Sequence, residues 1–241
     1  MDGFTYHNIF ETKGIEYLVV ILFLVVLVPF WSLLNKKMTV KQGKKSLAVI
    51  TAGSLQIPQG LFFSRFHTWV YLEQTGLSKL GLDDLLLHFT GTVRVKPLKR
   101  EGERIEKGEM IAKIVHDGKS LPVFSPVSGE IRGINKRLHN HPELLNTDPY
   151  REGWICEIKP SNWFADTSAC FLAEDATQWA IRELERFKDF IAVSVMRHTP
   201  VPEQVVLQDG GELIEAPLAE LPDEVWEDFR DHFLAEPISR E

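Results

Sequence analysis

The sequence has little cysteine, a single long apolar run, and almost no positive charge at its C-terminal end. Two cysteines, Cys156 and Cys170, in 241 residues leave no disulfide framework and no thiolate zinc site, which suits a reducing compartment without demanding one. A single run of membrane length excludes a polytopic membrane protein. After His198, twelve acids stand against only Arg230 and Arg240, a net of −10, although the whole chain carries only −7. The rest of the chain is therefore slightly basic, and the acidic balance belongs to a tail. That tail, and the absence of a basic patch in the middle of the chain, argue against a nucleic-acid partner. With 44% hydrophobic residues and a mean hydropathy of −0.10, the chain is not mostly disordered. It has room for one compact domain with appendages.

The apolar run is Tyr17 to Leu34, uninterrupted by charge. As a helix at about 1.5 Å per residue it spans roughly 27 Å, close to the hydrocarbon thickness of a thin bilayer. Tyr17 and Trp31 stand near its two ends, where amphipathic rings favour the interface, and Pro29 lies where a kink is tolerable. A cleaved signal peptide would need a basic start and a small-residue cleavage site, and neither is present. Lys36, Lys37, Lys41, Lys44 and Lys45 follow the run, against Asp2, Glu11, Lys13 and Glu16 before it. This asymmetry predicts a single-pass inner (cytoplasmic) membrane protein with its N-terminus outside and its C-terminal domain in the cytoplasm.

From Ile57 to Pro160 short apolar stretches alternate with Gly, Pro and Asn/Asp clusters. This predicts strands at 68–72, 78–80, 91–95, 110–115, 121–124, 130–134 and 154–158, and one helix at 83–89 begun by a capping acid. Many short strands in about a hundred residues suggest a small sandwich or flattened barrel. Asp117-Gly118, between Met110–His116 and Lys119–Phe124, is the strong signal for a two-residue type I′ hairpin with both residues at positive φ. His116 and Lys119 are then the flanking pair.

Ser125-Pro-Val-Ser-Gly-Glu130, Asn135, Pro142-Glu-Leu-Leu-Asn146, Asp148-Pro-Tyr150 and Gly153-Trp154 resemble the glycine cleavage system H-protein family. His67-Thr-Trp69, Gly81-Leu-Asp-Asp84, Gly91 and Gly102 through Lys107-Gly-Glu109 follow its looser upstream pattern in order. The resemblance covers roughly Pro58 to Pro160. It implies a mainly β fold with helices (α+β), a lipoyl-type β-sandwich or barrel-sandwich hybrid, with a carrier hairpin projecting from one face. It also implies a lysine on that hairpin, lipoylated as a swinging arm. Here the sequence departs from the family: counting without gaps from Lys107-Gly108 to Ser125-Pro126 places Gly118 at the modified position, and Lys119 is one residue late. Because strand side chains alternate faces, a one-residue slip turns the side chain away from the tip. Lys119 then reads as an ordinary solvated lysine in a hairpin that lost its cargo, so no cofactor is expected. Lipoate on Lys119 through a shifted turn is the alternative.

Among other residues, His139-Asn-His141 with His116 is the single histidine cluster worth naming, and no acid spacing completes a metal site. No catalytic arrangement is signalled. Cys156, inside a strand, reads as a small core residue. Residues 171–192 predict an amphipathic helix with Trp179, Ala180, Leu184, Phe187 and Ile191 on the apolar side and Glu183 among the polar positions. In the acidic tail, Pro222 to Leu234 suggests a short helix carrying Val225, Trp226, Phe229 and Phe233. Such a segment reads either as a recognition element or as disordered chain with a transient helix. The organisation expected is an N-terminal segment and transmembrane helix over 1–35, a basic linker over 36–56, a lipoyl-type domain over 57–160, a packed amphipathic helix over 161–197 and an acidic tail over 198–241. The function expected is a membrane-tethered, non-enzymatic adaptor with protein partners, an accessory subunit of a membrane complex, with a redox complex as the reading favoured for it. A membrane-tethered lipoyl carrier working through Lys119 in a glycine-cleavage-like or other oxidoreductase system is the alternative.

Overall fold

A computed structural model of the chain describes residues 17–27, 49–198, 207–208 and 212–235. Residues 17–27 form a helix, α1, whose side chains are exposed. No described helix is long and apolar enough to cross a membrane; residues 28–34 of the apolar run, with the basic cluster that follows, lie outside the described residues.

The second unit begins at Leu47. Its strands are β1 (Val49–Ile50), β2 (Phe62–Phe63), β3 (Thr68–Leu72), β4 (Ser78–Leu82), β5 (Arg94–Pro97), β6 (Arg104–Ile105), β7 (Met110–His116), β8 (Lys119–Phe124), β9 (Gly129–Ile134), β10 (Cys156–Pro160), β11 (Leu207–Gln208) and β12 (Glu212–Ile214). They assemble as a six-stranded sheet in the order β2-β3-β4-β10-β9-β6, a three-stranded sheet β5-β7-β8, and a small sheet β1-β12-β11. The sheets are open, so the fold is a mixed α+β, H-protein-like sandwich without the closed-barrel component expected from the sequence. Leu80, Ile131 and Ile158 from the first sheet share one core with Ile114, Leu121 and Val123 from the second.

The strands at 68–72 and 110–116 fall where alternation puts them. The expected strand at 91–95 is displaced to Arg94–Pro97 because Gly91, at φ 71°, caps helix α2 (Asp84–Thr90) and its N–H bonds Leu87 O. Asp83 is the N-cap of α2 and its carboxylate accepts from Leu86 N at 2.8 Å, the role expected of an acid at that point. The helix Glu174–His198, α6 (after α3 Arg137–Asn140, α4 Leu144–Thr147 and α5 Trp163–Thr167), buries Trp179, Ala180, Leu184, Phe187 and Ile191.

Residues 212–235 pack on the same core instead of trailing from it. β12 pairs antiparallel with β1. Beyond it α7 (Pro217–Glu220), α8 (Asp223–Asp228) and a π-helical turn (Phe229–Phe233) bury Leu218, Val225, Trp226, Phe229 and Phe233. Phe229 and Phe233 stack at 4.9 Å and meet Phe187 edge-on. Apolar burial at the spacing of a helical face therefore outweighs the acid-rich composition that made disorder one reading.

Close packing of β9 on β10 depends on Gly129. A Cβ there would lie 2.3 Å from Lys159 O and 2.7 Å from Ile158 Cγ2, and neither backbone nor a buried isoleucine yields cheaply. Gly129→Ala is expected to lower stability by about 1–3 kcal/mol, read as a drop in the urea unfolding midpoint at unchanged slope.

Candidate functional site: the hairpin and its C-terminal cap

β7 and β8 pair with His116 opposite Lys119, and Asp117 and Gly118 form the turn at φ 43° and φ 90°. This is the type I′ geometry that the Asp-Gly pair predicts. A Cβ on Gly118 would meet nothing within 4 Å, so the tip faces open space. Lys119 shares its strand face with Leu121 and Val123, both buried, so it turns inward, as a one-residue slip requires.

Lys119 is not the ordinary solvated lysine expected from sequence. Its side chain is only 17% exposed and its Nζ lies 3.2 Å from Asp223 Oδ1. The ammonium donates to Leu221 O at 2.7 Å and sits 5.6 Å from the centre of the Trp226 ring. His116 stacks on the same indole, the planes 9° apart, while its Nδ1 lies 2.7 Å from Thr92 O and so carries the proton donated to that carbonyl. The Trp226 Nε1 donates to Leu218 O at 2.5 Å. The two residues that flank the turn thus clamp one tryptophan of the C-terminal segment. Asp223 is largely exposed, so its ion pair contributes at most about 1 kcal/mol. Burial of the indole contributes more, since truncating a buried tryptophan costs about 3–5 kcal/mol.

The cap is held from beneath by a buried charge cluster. His67 Nδ1 lies 2.9 Å from Asp83 Oδ2, and its Nε2 is 3.4 Å from Glu183 Oε1, near enough for charge attraction but poorly aligned for a hydrogen bond. Glu183 is itself paired with Arg186, whose guanidinium donates to Phe233 O at 3.0 Å and lies 3.6 Å above the Phe233 ring. Burial disfavours the imidazolium, but the charge and hydrogen bond of Asp83, with the charge of Glu183, outweigh it and raise the His67 pKa to about 9. Burial likewise opposes the Glu183 carboxylate, and the charge of His67 with the hydrogen bonds and charge of Arg186 reverses the balance and lowers its pKa. Sequence reasoning placed Glu183 among the polar positions. Its spacing of four from both Trp179 and Phe187 is the signal that it shares their buried face.

The remaining candidates do different work. His116 goes to the cap, His141 Nδ1 pairs with Glu143 at 3.0 Å, and His139 is exposed on α3. Among the described residues no group of three His, Cys, Asp or Glu is placed to hold a metal ion. Cys156 is buried and burial pushes its thiol up to about 12, with the charge of Glu157 adding to the shift. The motif residues serve as braces. Asn135 Nδ2 donates to Glu152 O and Trp154 O, both at 2.8 Å. Tyr150 OH bridges Asp84 N and Gln56 O, and Ser125 Oγ donates to Val127 O. A lipoyl group needs a free lysine amine on the hairpin. Gly118 has no side chain and the Lys119 amine is engaged, so the residues present do not fit that group in this arrangement.

An open two-sheet sandwich with a two-residue hairpin between Lys107-Gly108 and Ser125-Pro126 defines the lipoyl-domain class. The glycine cleavage H-protein family matches residues 61–181, and the chain belongs to that family. It is 33% identical over 114 residues to a probable glycine cleavage system H protein of Thermococcus gammatolerans, covering 47% of this chain and 84% of that protein. To the glycine cleavage system H protein of Psychrobacter cryohalolentis it is 34% identical over 119 residues, covering 49% and 94%. A crystal structure of the H protein from Mycobacterium marinum aligns over 44% of this chain and 87% of that one, at 22% identity and a TM-score of 0.41.

Two outcomes follow from the cap and its support. Trp226→Ala is expected to lose about 3–5 kcal/mol in urea unfolding and to acetylate faster at Lys119 with exposed Lys159 unchanged, read by site-resolved mass spectrometry; unchanged Lys119 reactivity would contradict the clamp. His67 holds its proton more tightly folded than unfolded, so its contribution is complete below about pH 6.5. The contribution is lost as pH rises from there through about 9, at up to about 1.4 kcal/mol per pH unit. Thermal midpoints should fall across that window, and His67→Gln should flatten the fall.

Proposed function

We propose that this chain is a membrane-anchored, non-catalytic member of the H-protein family that works as an adaptor or accessory subunit of a membrane complex and carries no lipoyl arm. The observation that carries this reading is the hairpin: glycine occupies its open tip, and the neighbouring lysine amine is bonded to Leu221 O and paired with Asp223 of the same chain. The anchor is Tyr17 to Leu34, supported by the helix at 17–27 and its exposed aliphatic side chains. The lysines after the run orient the domain to the cytoplasmic side of the inner membrane. Protein partners fit a family whose relatives are named as H proteins of a glycine cleavage system.

A second reading has family membership in its favour: a tethered lipoyl carrier using Lys119. It requires the lysine to leave Leu221 O, Asp223 and the Trp226 ring before modification. Mass spectrometry of the natively purified, detergent-solubilised chain separates the two. The unmodified mass is expected, together with a stoichiometric membrane subunit that co-purifies. An added lipoyl mass that disappears in Lys119→Ala would establish the carrier, and recovery of the chain without any membrane partner would count against the adaptor.

A further inference from the structure

Among the described residues no helix or sheet covers the outer face of the three-stranded sheet around β5 and the middle of β7, and Phe66 meets it only at Phe124. The register sets Arg94 beside Val115 and Ser120, and Lys96 beside Lys113 and Pro122. The intervening rows, with buried Ala112, Ile114, Leu121 and Val123, face the core. The outward rows therefore gather three cations and no acid, although the linear sequence scatters them over twenty residues and shows no basic patch. Lys96 and Lys113 stand directly opposite one another, a like-charge pair that disfavours the sheet. Arg94, Lys96 and Lys113 make no ion pair with any described residue. Along the same strands, Leu98 is 46% exposed and Met110 36% exposed. Leu98 N bonds Ile111 O, which continues the pairing of β5 beyond Lys96.

We propose that this face docks on anionic lipid headgroups. A sheet face is broad and shallow, and its cations are spread over three neighbouring positions instead of lining a pocket. That suits a diffuse negative surface, to which each basic residue adds attraction within a screening length. The exposed leucine and methionine supply apolar contact at the interface. Docking also removes the cost of opposing Lys96 to Lys113, because lipid phosphates neutralise both. The inference rests in one respect on the anchored reading: residues 35–48, between the apolar run and β1, can span at most roughly 50 Å, so an anchored run tethers β1 within that reach of the bilayer.

The test uses the full chain with Leu98→Cys carrying an environment-sensitive dye, the two native cysteines being buried. The protein is placed in nanodiscs of phosphatidylcholine alone or with added phosphatidylglycerol. Dye emission is expected to rise several-fold only in the anionic discs, and to revert in 1 M salt, where the screening length is about 3 Å. It should not rise in Lys96→Glu/Lys113→Glu, whose thermal midpoint should stay near that of the parent, because the swap exchanges one opposed like-charge pair for another. Equal emission in the two lipids, or a rise that survives charge reversal, would overturn the proposal. A rise of the same size in an uncharged detergent micelle, which offers no anionic headgroup, would overturn it as well. Carbonate extraction tests the anchor separately. If the chain is stripped from membranes, the anchor reading fails, and the same dye response must then appear on mixing with free vesicles of the two compositions, or the docking proposal fails too.

Discussion

A charged imidazole in the core can persist only if its counter-charges are buried with it, and the architecture is organised around that requirement. Isolated, a buried histidine would titrate downward. Here Asp83 arrives from the N-terminus of α2, Glu183 from the middle of α6, and Arg186 balances the second carboxylate. The four charges sum to zero inside a shell made by Phe89, Trp179 and Phe233. Such a cluster adds little net stability compared with an apolar one, but loss of any single member strands a charge. Strand, capped helix, long helix and terminal turn are therefore held in one mutual arrangement.

That arrangement decides what happens at the hairpin. Once Phe233 is fixed above His67 and beneath the Arg186 guanidinium, the preceding turn places Phe229 against Phe187 and Phe190. Trp226 then lies under the β7–β8 turn. Asp228, which receives Ser194, Arg197 and His198, ties the same segment to the end of α6. Several acids of the C-terminal segment are engaged in these internal contacts, with Glu215 on His88 and Asp223 on Lys119. Glu215, Asp223 and Asp228 thus put part of its negative charge into a clamp on the domain, and the hairpin is closed from below although its tip is open.

How much of this the sequence disclosed depends on the range of the interactions involved. The type I′ turn, the Asp83 cap and the buried stripe of α6 are set by residues within a few positions of one another, and each was legible. The helix at 223–233 was legible too, but not that it packs on the domain, because nothing local distinguishes an amphipathic segment that folds back from one that awaits a partner. Glu183 went unrecognised for a related reason. A carboxylate on an apolar helical face looks like a polar interruption until the histidine that neutralises it, from a distant strand, is known. Lys119 combines the two cases: its inward direction followed from alternation, while its partners came from residues about a hundred positions away.

The family motif is most complete where it braces the backbone. Asn135 joins two loop carbonyls, Ser125 closes its own turn, Asp83 caps a helix and serves the His67 cluster, and Gly129 admits a neighbouring strand. In this chain these residues hold backbone to backbone and touch nothing that a carrier would bear, so they speak for the fold and are silent on cargo. Cargo depends on the side chain at a single hairpin position, and there a one-residue displacement changes both the residue and the face. The scaffold, the glycine at the tip and the lysine drawn under a tryptophan form a consistent set: the segment packed beneath the hairpin occupies the Lys119 amine, and the open tip at Gly118 offers no side chain in its place.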